Sequence, residues 1–287
     1  MIRKTVIPSA GLGTRLLPAT MEQPKEMLPI FARGNDGQIY VKPLLQLVFE
    51  QLYSGGMREF CFITGKTKRA IEDHFTQNYE FITMLKRKNK NYLAEDLEAF
   101  YRKLDDSRIV WVNQPEPKGF GEAVHRSHSF VGNEEFLVHA GDTYIVTEDR
   151  DHLKRLMKTH QETGADATLL LQKIEDPRQY GVVEVERLGG EIFKVNKAVE
   201  KPEKPTSKIA IMPIYIFKPI IFKALEGVPP GKGGEIQLTD GIQMLIDWKL
   251  KVNAIELKPD EKRLDIGNPE TYWDAIKLSY HYAERLK

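Results

Sequence analysis

Thr5-Val6-Ile7-Pro8-Ser9-Ala10-Gly11-Leu12-Gly13-Thr14-Arg15 is a short β-type run that breaks at two glycines. A short apolar run that stops at glycine reads as a buried strand of an α/β protein. The chain beyond it alternates. Leu44, Leu45, Val48, Phe49 and Leu52 recur at spacings of three and four, which predicts a helix over Val41 to Tyr53, stopped by Gly55-Gly56. Phe60 to Thr64 and Ile109 to Val112 read as strands, Glu122 to Phe130 as a helix and Phe136 to Ala140 as a fourth strand. Asp149 to Glu162 is predicted helical and Ala167 to Leu171 extended. This alternation predicts an α/β fold with a mixed, mostly parallel sheet and helices on both faces.

Two stretches depart from it. Leu93, Leu97, Phe100 and Leu104 recur at helical spacing inside a charge-rich excursion, so Tyr79 to Leu104 reads as a helical insertion. Its basic run, Lys86, Arg87, Lys88 and Lys90, fits a solvated helix end better than a binding patch. From Tyr180 to Phe217 the pattern turns to strands, Val182 to Val185, Ile192 to Val199 and Ile209 to Phe217, with Gly189-Gly190 as a hairpin turn. Glu235 to Trp248 and Pro269 to Leu286 are predicted helices around a strand at Lys251 to Leu257. No internal repeat is present; the length alone suggests one large domain or two small ones, and motifs running from residue 5 to 275 favour a single domain over 1–287.

Composition narrows the function. The 287 residues carry 42 Lys plus Arg and 41 Asp plus Glu, a formal net charge of +1, which argues against wholesale binding to nucleic acid or an acidic membrane. A single cysteine, Cys61, excludes an internal disulfide and a multi-cysteine zinc site, and within its apolar run it reads as a core residue. No apolar run approaches the length of a membrane span and no secretion signal is visible, so a cytoplasmic setting is expected.

The chemistry starts at Gly11-Leu12-Gly13-Thr14-Arg15. Glycines let backbone N–H groups approach phosphate oxygens, and the Arg15 guanidinium suits phosphate. Leu16 stands where a dinucleotide fingerprint needs its third glycine. A Walker A loop also fails, because Phe60 precedes Gly65-Lys66-Thr67 at the required glycine and Gly233 follows Gly231-Lys232. Pro24-Lys25-Glu26-Met27-Leu28-Pro29 brings a second cation, although Lys25 alone would pass for a surface lysine. Asp142 alone fits a turn residue, Asp265 a cap before Gly267, Glu200-Lys201 a surface pair and Gln114 a loop amide. His125 and His128 lack a third ligand nearby and read as a solvent-facing helix surface.

The segment from Ala10 to Thr20, followed by Pro24 to Pro29, closely resembles the opening of the sugar-1-phosphate nucleotidylyltransferases, most of all the bacterial-type UTP–glucose-1-phosphate uridylyltransferases. Lys118 to Ala123, Tyr180 to Val183, Val199 to Pro202, Gly234 to Asp240 and Asp265 to Asn268 resemble further family segments in the family order. The resemblance implies a Rossmann-like, three-layer nucleotidyltransferase fold of GT-A type. It implies uridylyl transfer from UTP to glucose 1-phosphate with Mg²⁺ as cofactor, in a homo-oligomer in which Glu235 to Leu245 packs near an interface.

Residue by residue, the resemblance implies that Ala10, Gly11, Gly13 and Glu26 hold the nucleotide, Arg15 the β- and γ-phosphates and Lys25 the α-phosphate. Gln114 and Gly119 would read the pyrimidine, Asp142 and Asp265 would ligate Mg²⁺, and Gly181, Glu200 and Lys201 would bind the sugar phosphate. The alternatives are a thymidylyltransferase using dTTP and a non-catalytic nucleotide-sugar-binding subunit. The sequence departs from the bacterial pattern at Ile30 to Val41, which is longer than the family's usual turn. It reads as a hairpin-like flap beside the nucleotide site, with consequences for nucleotide choice.

Overall fold

The first strand, Lys4–Pro8 (β1), is buried on both faces: Val6 faces one apolar core and Ile7 the other. The computed structural model describes residues 2–34, 36–147 and 151–285. After β1 come a hairpin, Pro29–Arg33 (β2) and Ile39–Pro43 (β3), then Leu44–Ser54 (α1), Glu59–Thr64 (β4), Arg69–His74 (α2), Tyr79–Arg87 (α3) and Asn91–Asp105 (α4). Arg108–Asn113 (β5), Phe120–His125 (α5), His128–Val131 (α6), Phe136–His139 (β6), Thr143–Val146 (β7) and His152–Thr163 (α7) follow. Next are Ala167–Lys173 (β8), Gly181–Gly189 (β9), Ile192–Glu200 (β10), Ile209–Phe217 (β11) and Ile220–Gly227 (α8). The chain closes with Leu238–Asp247 (α9), Val252–Glu256 (β12), Lys262–Asp265 (β13) and Pro269–Arg285 (α10).

Nine strands form one mixed sheet in the order β5-β4-β1-β6-β11-β8-β12-β10-β9. The half from β5 to β6 is parallel throughout. In the other half β11 runs antiparallel to both of its neighbours, and β10 to β12 and β9, while β12 is parallel to β8. Alternation splits the interior in two. Phe60, Phe62 and Leu137 join α1, α4 and α7 on one face; Cys61, Ile63 and Val138 join α5, α8 and α9 on the other. Phe49 on α1 meets Phe60 at 4.7 Å between ring centroids and Phe75 edge-on at 5.5 Å. Burying one such side chain contributes about 1.5–3 kcal/mol, which is what fastens α1 to the sheet. Cys61 is fully buried, as a core residue should be, and burial pushes its thiol up to about 12.

Several boundaries differ from expectation for local reasons. The predicted helix from Val41 starts only at Leu44, because Lys42 precedes Pro43 and is driven into extended backbone, completing β3 instead. The helix expected from Glu235 starts at Leu238, because Ile236 donates its N–H to the Lys118 carbonyl and accepts from the Gly121 N–H. The start of the helix expected from Asp149 and the end of that expected to Leu286 lie outside the described residues; the described helices are His152–Thr163 and Pro269–Arg285. α3 and α4 occupy the excursion from Tyr79 to Leu104, where Lys86 pairs with Glu98 at 2.5 Å. α9 buries Leu238, Ile242 and Leu245 inside its own chain, so those side chains are not free for an interface.

The expected hairpin-like flap is a hairpin, β2–β3, and its Ile30 joins the apolar cluster that holds Leu16, next to Arg15. It packs on α10: the Phe31 ring meets Tyr280 edge-on at 5.1 Å, the Phe31 N–H donates to Ser279 Oγ, Arg33 donates to the Ala283 carbonyl and the Tyr272 hydroxyl to the Pro29 carbonyl. Its partner helix lies more than two hundred positions away, beyond the reach of local sequence reasoning.

Candidate active site

The loops leaving the carboxyl ends of β1, β5 and β6 open onto one cleft of about 510 Å³, where open α/β sheets place their ligands. Every residue to which the resemblance gives a role lines it: Ala10, Gly11, Gly13, Arg15, Lys25, Glu26, Gln114, Gly119, Asp142, Gly181, Glu200, Lys201 and Asp265.

At the β1–β5 end the backbone shapes the wall. Gln114 is buried at the end of β5, its N–H bonded to the Thr64 carbonyl, and its amide donates to the Gly119 carbonyl at 3.2 Å and to Glu122 at 2.5 Å. Gly119 has φ 103, and a Cβ there would meet the Ile236 carbonyl oxygen at 2.5 Å, so only glycine fits. Arg15 is exposed, and the Lys25 stem packs over Gly11. Beneath them Glu26 and Lys68 form an ion pair of 2.8 Å, with only 2% and 3% of their side chains exposed. Burial holds the Glu26 carboxyl above its usual range, opposed by the Lys68 and Lys25 charges.

The centre holds two carboxylates brought from far apart in sequence. β13 pairs antiparallel with β7, Asp265 opposite Thr143, and the Ile266 N–H donates to the Asp142 carbonyl. Each carboxylate has a resident cation: Lys25 hydrogen-bonds and pairs with Asp142, and Arg263 pairs with Asp265 at 3.1 Å. Burial would drive the Lys25 ammonium toward neutrality, yet the Asp142, Glu26 and Asp265 charges outweigh it and hold its pKa above the usual lysine value. Burial also opposes charge on Asp142, but the Lys25 charge and hydrogen bond keep it below the usual range. Asp265 is raised, first by burial and then, against the Arg263 charge, by the Asp142 charge. Two neighbouring carboxylates pushed in opposite directions mark a site prepared for positive charge. Among the described residues no three His, Cys, Asp or Glu side chains group to hold a metal unaided. An ion here would need oxygens from its ligand, as Mg²⁺ bound by one or two carboxylates plus phosphates does.

The third end is built from side chains of the antiparallel half. Gly181 opens β9, where a Cβ would meet Thr239 Oγ1 at 2.7 Å and Glu200 Oε2 at 3.3 Å. Thr239 donates to Glu200 Oε2 at 2.6 Å, and Lys201 pairs with Glu200 at 3.3 Å. Sequence reasoning missed Lys68, Tyr180's contact with Arg263, Arg263 itself and Thr239. The one available signal was adjacency, since Thr239 and Arg263 lie within or beside motifs already singled out. His128 stacks on Phe222 and His125 meets that ring edge-on, outside the cleft.

Glycine loops at the ends of parallel strands, two cations over them and a carboxylate pair facing them define a site for nucleotidyl transfer, and the chain belongs to the nucleotidyl transferase family, whose model matches residues 4–280. It is 39% identical to the UTP–glucose-1-phosphate uridylyltransferase of Staphylococcus epidermidis over 286 residues, covering 98% of this chain and 92% of the relative. Its fold matches a UDP-glucose pyrophosphorylase complexed with UDP-glucose at 31% identity, 98% and 99% coverage and a TM-score of 0.83. It matches a UTP-bound UGPase from Acinetobacter baumannii at 30% identity, 98% and 93% coverage and the same TM-score, 0.83. The resemblance drawn from the motifs is borne out. Among the described residues no helix is long and apolar enough to cross a membrane.

Proposed function

We propose that the protein transfers the uridylyl group of UTP to glucose 1-phosphate, giving UDP-glucose and pyrophosphate. One observation carries the reading: a single cleft is lined by Gln114 and Gly119, by Arg15 and Lys25 with the Asp142–Asp265 pair, and by Gly181, Glu200 and Lys201. The three groups suit a base, a reacting phosphate and a sugar. The uridylyltransferase relative and the neighbours solved with UDP-glucose and with UTP agree with this reading.

A phosphate oxygen of the sugar phosphate attacks the α-phosphorus in line, the bond to the bridging oxygen of the β-phosphate breaks, and pyrophosphate leaves. The nucleophile is already an oxyanion, so no protein nucleophile is needed, and the rate comes from positioning and charge neutralisation. Lys25, held as an ammonium, faces the α-phosphate, and Arg15 the departing pyrophosphate. Gln114 offers an amide to the uracil edge, Glu200 accepts from sugar hydroxyls and Lys201 neutralises the sugar phosphate. Asp142 and Asp265 would hold Mg²⁺, a fit to their hard oxygen donors, and the bound ion would supply charge to the phosphate oxygens. The reading includes a cytoplasmic homo-oligomer.

Pyrophosphate release from UTP, dTTP, ATP and GTP with glucose 1-phosphate, with and without Mg²⁺, tests this. UTP with Mg²⁺ is expected to give the highest rate. Equal rates with dTTP would remove the uridine preference, and full activity in the presence of a chelator would remove the metal.

A further inference from the structure

Arg263 belongs to no motif and lies on a four-residue strand, yet its guanidinium is one of the most heavily used groups in the cleft. Its side chain is 9% exposed. Nη2 donates to the Tyr180 hydroxyl at 3.0 Å and stands 3.1 Å from Asp265 Oδ2. Nη1 lies 3.3 Å from Met212 Sδ on β11, and the guanidinium carbon sits 4.9 Å from the Tyr180 ring centroid. Arg263 and Asp265 are two apart on one strand, so both project to the same face. Tyr180 is equally committed. Its carbonyl accepts the Lys201 N–H at 3.0 Å, and it immediately precedes Gly181. Lys201 has φ 41, a conformation that a lysine keeps only when its surroundings hold it.

We infer that Arg263 is a positioning residue: it fixes the carboxylate Asp265 and the corner Tyr180–Gly181 in one frame, so that the cation pocket and the sugar-phosphate pocket are built together. Nη2 makes both polar contacts while the planar guanidinium lies against the Tyr180 ring and Nη1 reaches Met212, an arrangement that a single lysine nitrogen does not reproduce. A lysine keeps the charge and loses the fork. The inference rests on the assignment of Asp265 to the metal and of Gly181, Glu200 and Lys201 to glucose 1-phosphate.

The test measures two quantities on the full chain: Mn²⁺ affinity of the protein saturated with UDP-glucose, without pyrophosphate, by calorimetry, and KM for glucose 1-phosphate and UTP by pyrophosphate release. Arg263→Lys is expected to raise the glucose 1-phosphate KM about tenfold and to weaken Mn²⁺ about fivefold, with the UTP KM within about twofold of wild type. Tyr180→Phe keeps the ring and the fold; it should raise the glucose 1-phosphate KM about threefold and leave Mn²⁺ binding unchanged. The double variant should be no worse than Arg263→Lys, because both changes remove one shared contact. Additive losses, or an unchanged glucose 1-phosphate KM in Tyr180→Phe, overturn the inference. Two controls separate its failure from that of the reading beneath it. If Asp265→Asn leaves Mn²⁺ affinity intact, or Glu200→Gln leaves the glucose 1-phosphate KM intact, the site assignment falls and the inference falls with it. If both controls respond and the Arg263 and Tyr180 variants do not, only the inference falls.

Discussion

The two halves of the sheet build their parts of the cleft by different means. In the parallel half, from β5 to β6, the ligand wall is mainly backbone: Gly11, Gly13 and Gly119 at strand ends, with one buried amide, Gln114. In the antiparallel half the wall is a network of side chains, Thr239 on Glu200, Lys201 on Glu200, and Arg263 on Tyr180 and Asp265. A backbone wall needs few particular side chains, although Gly119 still depends on the Ile236 carbonyl packed against it. A side-chain wall is assembled from β9, β10, α9 and β13, and one substitution propagates to its neighbours.

Substitutions at the seam between the halves should have the largest effect. Asp142→Asn removes the charge facing Lys25, and turnover is expected to fall about a thousandfold, roughly 4 kcal/mol, with the melting curve retained. Near-normal Mg²⁺-dependent rates would break the assignment of the seam to the reaction centre.

The next test sets one half against the other. Gly119→Ala forces a Cβ against the Ile236 carbonyl, so the KM for UTP should rise by about tenfold or more. Thr239→Val removes the donor to Glu200, so the KM for glucose 1-phosphate should rise about tenfold while that for UTP stays within about twofold. If both variants raise both constants equally, the division of labour is wrong.

Acid should act through the core under the seam. His139 is fully buried at the end of β6, and burial lowers it to about 4. His152 on α7 is lowered to about 3, first by burial and then by the His139 and Arg155 charges. Both bind protons more readily when unfolded, with an unfolded value of 6.5. Their contribution to stability is therefore complete above pH 6.5 and lost as pH falls toward 4, at up to about 1.4 kcal/mol per pH unit for each. Urea midpoints from pH 7.5 to 4.5 should show that slope, and His152→Leu should flatten it.

The smallest effect belongs to the hairpin. Because β2–β3 packs on α10, shortening 34–38 to a two-residue turn should alter the UTP-to-dTTP rate ratio by less than about twofold. A larger change would make the hairpin part of the nucleotide wall.

Legibility in the sequence follows the same division. The loop from Gly11 to Arg15 and the segment from Pro24 to Pro29 are contiguous, so their spacing pointed to phosphate without any fold. The main strands and helices showed their periods, and an apolar stripe from Leu93 to Leu104 pointed to helices over Tyr79 to Leu104, where α3 and α4 lie. β7 and β13 were not. Lys262-Arg263-Leu264-Asp265 has one apolar residue and no period, yet it brings Asp265 to Asp142. α8 also escaped, since Ile220-Ile221-Phe222 continues the apolar run of β11 with only Lys218-Pro219 between. Lys68 escaped because nothing in Gly65-Lys66-Thr67-Lys68 separates a lysine bound for solvent from one bound for the core.

The Glu26–Lys68 pair has a consequence for how this chain can vary. Both ends are sealed from water, so replacing either partner alone strands a charge, at a cost of about 3–5 kcal/mol. Replacing both together by neutral groups of similar size removes the charge and its partner at once. The two positions therefore behave as a single inherited character written in two places. A lineage that changes the floor of this cleft has to cross a poorly folding intermediate or change both codons together.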